Sequence, residues 1–161
     1  MDTEEWLADT RTSYDTVATS FADQVRGLLD QTPYERAALT LFADLVRTTG
    51  GGPVADLGCG PGRITAYLRG LGIGSVFAHF RRVLRPGGPL LLGFHVGDES
   101  RLKTQGYGGH PMKVYVHRRR PGRMAAWLND AGFTVEAQMT LSSAESTLGG
   151  ILFARRRPAV Q

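Results

Sequence analysis

The sequence predicts one α/β domain in which helices flank a sheet, and three features of the 161 residues predict it. The first is a short apolar strand, residues 54–57, that runs into a glycine-rich turn and a helix. The second is an unbroken apolar run, Leu90–Val96, which favours a buried strand in a central parallel position. The third is a pair of apolar segments near the C-terminus, each of strand length. A hydrophobic content of 42% is enough for a core.

Residues 1–49 form the helical part of this domain, and residues 50–161 form its α/β core. Apolar residues recur at helical spacing over residues 3–30. Thr32 and Glu35 have the spacing of a capping box, and Pro33 occupies the first helical position of a second helix. That helix is expected to end before Gly50.

The core continues with alternating helices and strands and no internal repeat. Residues 97–112 are rich in glycine and polar residues and are expected to form a loop on the ligand side. The remaining predicted elements are helices over residues 62–69, 76–84 and 121–128, the last closed by Gly132, and strands over residues 113–117, 133–139 and 150–155.

The glycine-rich turn is the strongest candidate for a binding site. Gly58, Gly60 and Gly62 lack a Cβ atom, so backbone amides in this turn can approach a ligand closely. A helix that begins near Gly62 would add its free N–H groups, and Asp56 could accept a hydrogen bond from the ligand. The alternative is a tight strand-to-helix turn that binds nothing. Cys59, inside the turn, is interpreted as a packing residue.

Asp56 followed by Gly58-x-Gly60-x-Gly62 resembles the first motif of class I S-adenosylmethionine (SAM)-dependent methyltransferases. Residues 77–92, with Leu84-Arg85-Pro86-Gly87-Gly88 at their centre, resemble the helix, turn and fifth strand of the same family. The resemblance implies SAM as cofactor, bound by Asp56, Gly58, Cys59, Gly60 and Gly62. Residues 14–22 resemble the N-terminal helix that closes over the cofactor in small-molecule members, which adds Tyr14; an amphipathic helix that only covers the core is the alternative.

The middle of the family fold is missing from this sequence. Six linker residues join the first helix to the helix before the fifth strand, so about 60 residues are absent at about 30 per strand-helix-strand unit. No Asp or Glu lies between Asp56 and Asp98, although the family holds the adenosine ribose with a carboxylate there. We expect a reduced Rossmann-like sheet of order 1-5-7-6. The two joined helices stay on one face, merge, or pass into a partner as a domain-swapped dimer or higher oligomer.

Histidines and a tyrosine near the end of the fifth strand are the candidates for work on a methyl acceptor. His95 ends that strand, where ligands of parallel sheets bind, and is the candidate base; a structural histidine is the alternative. Tyr107 and His110 are further candidates for substrate contact, and Asp98 for proton removal. The spacing of His79 and His117 indicates no metal site.

The composition limits the classes of partner that we expect for this protein. The net charge of +4 and two arginine runs, without interleaved aromatic residues, do not indicate nucleic-acid binding. No apolar run is long enough to cross a membrane, and one unpaired cysteine fits the cytoplasm. Three functions remain: methyl transfer from SAM to a small molecule, a methyltransferase-derived scaffold without effective SAM binding, and a module that assembles through an exposed sheet edge.

Overall fold

The computed structural model describes residues 3–52, 54, 63–71, 84–142 and 149–158. The described helices are α1 (Thr3–Val25), α2 (Pro33–Thr48), α3 (Arg63–Gly70) and α4 (Pro121–Asp130), with 3₁₀ turns at Leu28–Gln31 and Tyr107–Gly109. The described strands are β1 (Pro89–His95), β2 (Ser100–Gln105), β3 (Pro111–His117), β4 (Phe133–Thr140) and β5 (Gly149–Arg156).

Three of the strands form an antiparallel sheet of order β1-β5-β4. The pairs Leu92–Leu152 and Gln138–Leu152 fix the register on either side of β5. The predicted order 1-5-7-6 assigns the numbers 5, 7 and 6 to these three strands. The first strand of the predicted order falls on residues 54–57, of which only Val54 is described, so the complete order 1-5-7-6 stays a prediction.

The sheet carries helices on both faces, and alternate residues of β5 supply the two cores. Ile151 and Phe153 pack with Leu39, Phe42 and other buried residues of α2 and α3. Ala154 faces the opposite way and packs with Phe133 and with Leu128 of α4. The result is a three-layer body in which β5 is the central described strand.

The second sheet is a hairpin of β2 and β3, and α1 covers one of its faces. Val17 of α1 is buried against Met112 and Val114 of β3. Gly106 lies between them, because a Cβ there would stand 2.5 Å from Val17 Cγ1 and 2.9 Å from Met112 Sδ. The backbone N–H of Lys113 also donates to Ser13 Oγ at 2.8 Å. Helix and hairpin are therefore packed as one unit.

Two predictions about strands need correction. Residues 97–112 are not only a loop, since β2 occupies Ser100–Gln105. The polar sequence of β2 does not indicate a strand, and its pairing with β3 stabilises the extended conformation. β1 covers most of Leu90–Val96, but only its first residues are buried, so the prediction of a buried strand is wrong for its second half. It pairs antiparallel with β5 on one side, and the predicted parallel pairing on its other side stays a prediction. The parallel neighbour predicted for it lies outside the described residues except for Val54.

The predicted capping box at the start of α2 is also wrong, although Pro33 begins this helix as expected. Thr32 makes no side-chain cap; its hydroxyl donates to the carbonyl oxygens of Leu28 and Leu29 at 3.2 and 3.3 Å. The preceding 3₁₀ turn supplies these nearer acceptors.

Candidate functional site

The predicted cofactor turn is joined to the body at both ends. Val54 is buried with residues of α2 and β5, and α3 begins at Arg63 with Leu68 in the same core. The predicted cofactor-binding residues between these ends, Asp56, Gly58, Cys59, Gly60 and Gly62, lie outside the described residues. The structure describes the residues on either side of this segment, Val54 and α3.

Glu35, whose spacing from Thr32 predicts a capping box, instead contacts the start of α3. Its side chain is only 3% exposed, and Oε2 lies 3.5 Å from Nη1 of Arg63, the first residue of α3. Removing a carboxylate from water is costly unless a cation compensates it. This ion pair therefore ties the first turn of α2 to the start of the helix that follows the glycine turn.

The Leu84–Gly88 turn that resembles the family motif has a structural role at the opposite edge of the sheet. Arg85 donates to the carbonyl oxygens of Thr49 and Gly51, which follow the C-terminus of α2. Gly88 accepts from the N–H of Arg156 at 3.0 Å, and the Gly87 N–H donates to the Arg156 carbonyl at 2.9 Å. A Cβ on Gly88 would stand 2.8 Å from the Arg85 oxygen, which explains the glycine.

His95, the candidate base, lies at the C-terminal end of β1 with an exposed side chain. Its carbonyl oxygen accepts a hydrogen bond from the N–H of Arg119 at 3.1 Å, and Val96 forms an isolated parallel bridge with Arg119. His95 is thus located where the body meets the base of the β2–β3 hairpin.

Tyr107 and His110 lie at the other end of that hairpin. The five residue steps of β2, at about 3.4 Å each, put the tip about 17 Å from the base. The Tyr107 ring packs 4.7 Å from the ring of Phe21, and Lys103 Nζ lies 4.5 Å above its centre. The structure therefore separates the three predicted substrate residues into two groups, and Tyr107 is used for packing against α1.

Tyr14, the cofactor-binding candidate on α1, is 58% exposed. Its neighbours Ser13 and Val17 turn toward the hairpin and are buried there. Tyr14 is therefore available for contact with a ligand, and its role in cofactor binding stays a prediction.

The base of the hairpin carries a polar cluster that the sequence analysis did not identify. Ser100 Oγ lies 2.8 Å from His117 Nδ1. Two nitrogens of Arg119 donate to Ser100 Oγ at 3.1 and 3.0 Å, and one lies 3.3 Å from His117 Nδ1. The strand pairing of Ser100 with His117 joins residues that are seventeen positions apart, so no local sequence pattern predicts the cluster.

Charges around this cluster are paired. Arg120 Nη2 lies 2.7 Å from Asp98 Oδ2, so the carboxylate considered for proton removal is engaged in an ion pair.

Within the described ranges, no group of three or more His, Cys, Asp or Glu residues could hold a metal ion. No helix among the described residues is long and apolar enough to cross a membrane.

Of three comparisons with known proteins, the one with solved structures gives a match. No protein-family model matches the chain, and no curated protein sequence is recognisably similar to it. Among solved structures, the chain resembles 1,6-didemethyltoxoflavin-N1-methyltransferase of Burkholderia thailandensis, crystallised with 1,6-didemethyltoxoflavin and S-adenosylhomocysteine. The TM-score is 0.62 at 16% identity, and the match covers 98% of this chain and 92% of that one. The chain therefore has a fold similar to that of a SAM-dependent methyltransferase.

Proposed function

We propose that this protein transfers a methyl group from SAM to a small-molecule acceptor. The observation that carries the proposal is the fold match over 98% of the chain to a methyltransferase that holds S-adenosylhomocysteine and a small substrate. The sequence supports the same proposal, because Asp56 and the three glycines resemble the family's first motif.

SAM, when bound, supplies an electrophilic methyl group, so the protein's main task is to position the acceptor and remove its proton. The backbone N–H groups of Gly58, Cys59, Gly60 and Gly62, together with the Asp56 carboxylate, would hold the amino-acid end of the cofactor. His95, at the end of β1, is the residue proposed to accept the proton, either directly or through water. The Glu35–Arg63 ion pair supports the start of α3, the helix that follows this segment in the chain.

A second function is favoured by one specific observation. No Asp or Glu lies between Asp56 and Asp98, so the ribose of the cofactor has no carboxylate partner in the expected part of the chain. A protein that lacks this contact could be a methyltransferase-derived scaffold, natural or engineered by deletion, that binds SAM weakly or not at all. Such a scaffold could act in assembly through its exposed sheet edge.

Calorimetry with S-adenosylhomocysteine distinguishes the two functions. A dissociation constant below about 1 μM would exclude the scaffold, and no heat at about 1 mM ligand would exclude the enzyme. The variant Asp56→Ala should weaken binding by at least about tenfold if the carboxylate contributes a charge-assisted hydrogen bond. Asp98→Ala is the matched control, because it removes an exposed carboxylate that pairs with Arg120.

The missing middle of the family fold also leads to a proposal about assembly. Six linker residues reach at most about 20 Å, whereas the two helices they join start at the same edge and lie on opposite faces in the family. We propose a homodimer or higher oligomer in which this connection is exchanged between copies. Light scattering that gives the mass of a compact monomer would contradict this exchange.

A further inference from the structure

Arg119 is bonded through its backbone to the end of β1, the strand that carries His95. Its N–H donates to the carbonyl oxygen of His95 at 3.1 Å, and its own carbonyl oxygen accepts from the N–H of Gly97 at 3.4 Å. These two bonds lie on either side of Val96, which forms a parallel bridge with Arg119. His95 is thus bonded to Arg119 as well as paired with Gly149 of β5.

The side chain of Arg119 reaches into the base of the β2–β3 hairpin. Its Nη1 lies 3.2 Å from the carbonyl oxygen of Glu99 and 2.6 Å from that of Arg118. Both Nη atoms are also within hydrogen-bond distance of Ser100 Oγ, at 3.1 and 3.0 Å. These acceptors belong to the segment that enters β2 and to the segment that leaves β3, so one guanidinium joins the two segments where they cross.

These contacts suit an arginine and distinguish Arg119 from its two neighbours. A guanidinium carries five donors in a planar fork, whereas a lysine ammonium is a single point charge. Arg118 and Arg120 instead pair with the carboxylates of Glu99 and Asp98, at 3.4 and 2.7 Å, and the side chain of Arg120 is 74% exposed. Arg119 is therefore the arginine of this run whose side chain fixes the hairpin base and whose backbone bonds to β1.

This connection matters for His95 because that side chain is exposed. Packing restrains an exposed side chain little, so its position depends on the backbone that carries it. A general base contributes only when it is held within hydrogen-bond reach of the proton that it removes. The hydrogen bond from Arg119 acts on that backbone at the residue proposed as the base.

We propose that Arg119 is a positioning residue, whose side chain holds the backbone of residue 119 against β1 and thereby keeps His95 in one place. The link to proton removal rests on the proposed methyltransferase function, whereas the coupling between Arg119 and His95 rests on the hydrogen bonds of this structure.

NMR spectroscopy of the isotope-labelled protein tests the coupling. In the wild type, a scalar coupling across the hydrogen bond should connect the Arg119 amide nitrogen with the His95 carbonyl carbon. Arg119→Ala should remove this coupling and speed hydrogen exchange of the residue 119 N–H by about tenfold or more, because the bonds of a charged group that fix this backbone are lost. Arg119→Lys should not restore either signal, since one ammonium cannot replace the fork.

Arg120→Ala is the matched control. It removes the adjacent arginine, whose exposed ion pair with Asp98 contributes little, and should leave the coupling and the exchange rate at residue 119 unchanged. Hydrogen exchange in β5 separates positioning from general stabilisation, because it should stay unchanged in Arg119→Ala. Equal acceleration in β5, an unchanged exchange rate at residue 119, or no coupling in the wild type would each overturn the proposal.

Calorimetry of the wild type with S-adenosylhomocysteine separates this inference from the methyltransferase proposal. If Arg119→Ala has the expected local effect and S-adenosylhomocysteine does not bind, Arg119 holds His95 and the assignment to methyl transfer fails. If S-adenosylhomocysteine binds and Arg119→Ala leaves His95 unchanged, the methyltransferase proposal stands and the positioning role of Arg119 is wrong.

Discussion

The body and the cap of this molecule are held together in different ways. The body comprises α2, α3, α4 and the sheet β1-β5-β4, and the cap comprises α1 and the β2–β3 hairpin with its Tyr107–Gly109 turn. In the body, β5 is buried from Gly150 to Ala154 between two layers of helices. In the cap, the described apolar core consists of Val17, Met112 and Val114, with Tyr107 at its edge.

This difference in packing predicts which part of the molecule unfolds locally first. Local opening costs least where few apolar contacts are buried and backbone hydrogen bonds lie near solvent. The cap meets this description, and it depends on close approach at Gly106 and on polar contacts from Ser13 and Asp9. We expect the cap to separate from the body at a lower free energy than global unfolding.

The largest expected effect is in the body. Phe153→Ala should reduce the free energy of unfolding by about 3–5 kcal/mol, because a fully buried ring on the central described strand leaves a cavity. Urea denaturation followed by circular dichroism measures this loss. Val114→Ala in the cap is the comparison and should cost less, about 1.5–3 kcal/mol. Coincident transitions of probes in the cap and in the body would mean that the two parts unfold as one unit.

The next effect concerns the ion pair between buried Glu35 and Arg63, the first residue of α3. Glu35→Ala should destabilise the body by about 3 kcal/mol, since the Arg63 cation loses its partner. Replacing both residues with methionine should recover most of that stability, because apolar residues of similar volume tolerate the site. If the double variant recovers stability and still binds S-adenosylhomocysteine as the wild type does, the pair has no role in placing the turn.

A smaller and more local effect is expected in the cap. Gly106→Ala would place a Cβ 2.5 Å from Val17, and such overpacking costs about 1–3 kcal/mol. Hydrogen exchange should become faster in α1 and β3 and stay unchanged in β5. Val17→Ala should partly restore protection in the double variant. Gly122→Ala serves as the control, since its Cβ would meet nothing within 4 Å.

The smallest effect belongs to the ion pair between α1 and β3. Lys113 Nζ lies 2.6 Å from Asp9 Oδ2, and the hydrogen bond and negative charge of Asp9 raise the pKa of Lys113 above its usual 10.5. Because the folded pKa exceeds the unfolded one, this stabilisation is complete below about pH 10.5 and is lost as pH rises through the folded value. NMR titration of Asp9→Asn should show a lower pKa for Lys113, and the wild-type cap should weaken in high salt.

Parts of the fold could be predicted from the sequence because their signals are local. Pro33 and Pro121 begin α2 and α4, and Gly132, with a φ of 85°, follows the end of α4 as predicted. Strands β4 and β5 appear within one residue of the predicted bounds, because apolar runs between turn signals indicate strands. The resemblance to a methyltransferase, drawn from two motifs, agrees with the fold match.

Other features were decided by tertiary contacts. The spacing of Thr32 and Glu35 fits a capping box. In the structure, however, the Thr32 hydroxyl donates to a carbonyl oxygen of the preceding 3₁₀ turn, and the Glu35 carboxylate pairs with Arg63. Strand β2 has the single apolar residue Leu102, so its conformation depends on its partner β3. Patterns along the chain report on neighbours three or four residues away, and these contacts are made across much longer separations.

The sequence by itself thus determined the α/β class of the fold and the bounds of the locally signalled helices and strands, and the glycine turn as a cofactor site stays a prediction. Only the tertiary structure brought Glu35 to Arg63, placed Tyr107 and His110 far from His95, and aligned Tyr115, His117, Ser100 and Arg119 at the hairpin base. The physical reason is that helix signals arise from backbone geometry within one turn, whereas a site is set by strand register and by the packing of distant elements.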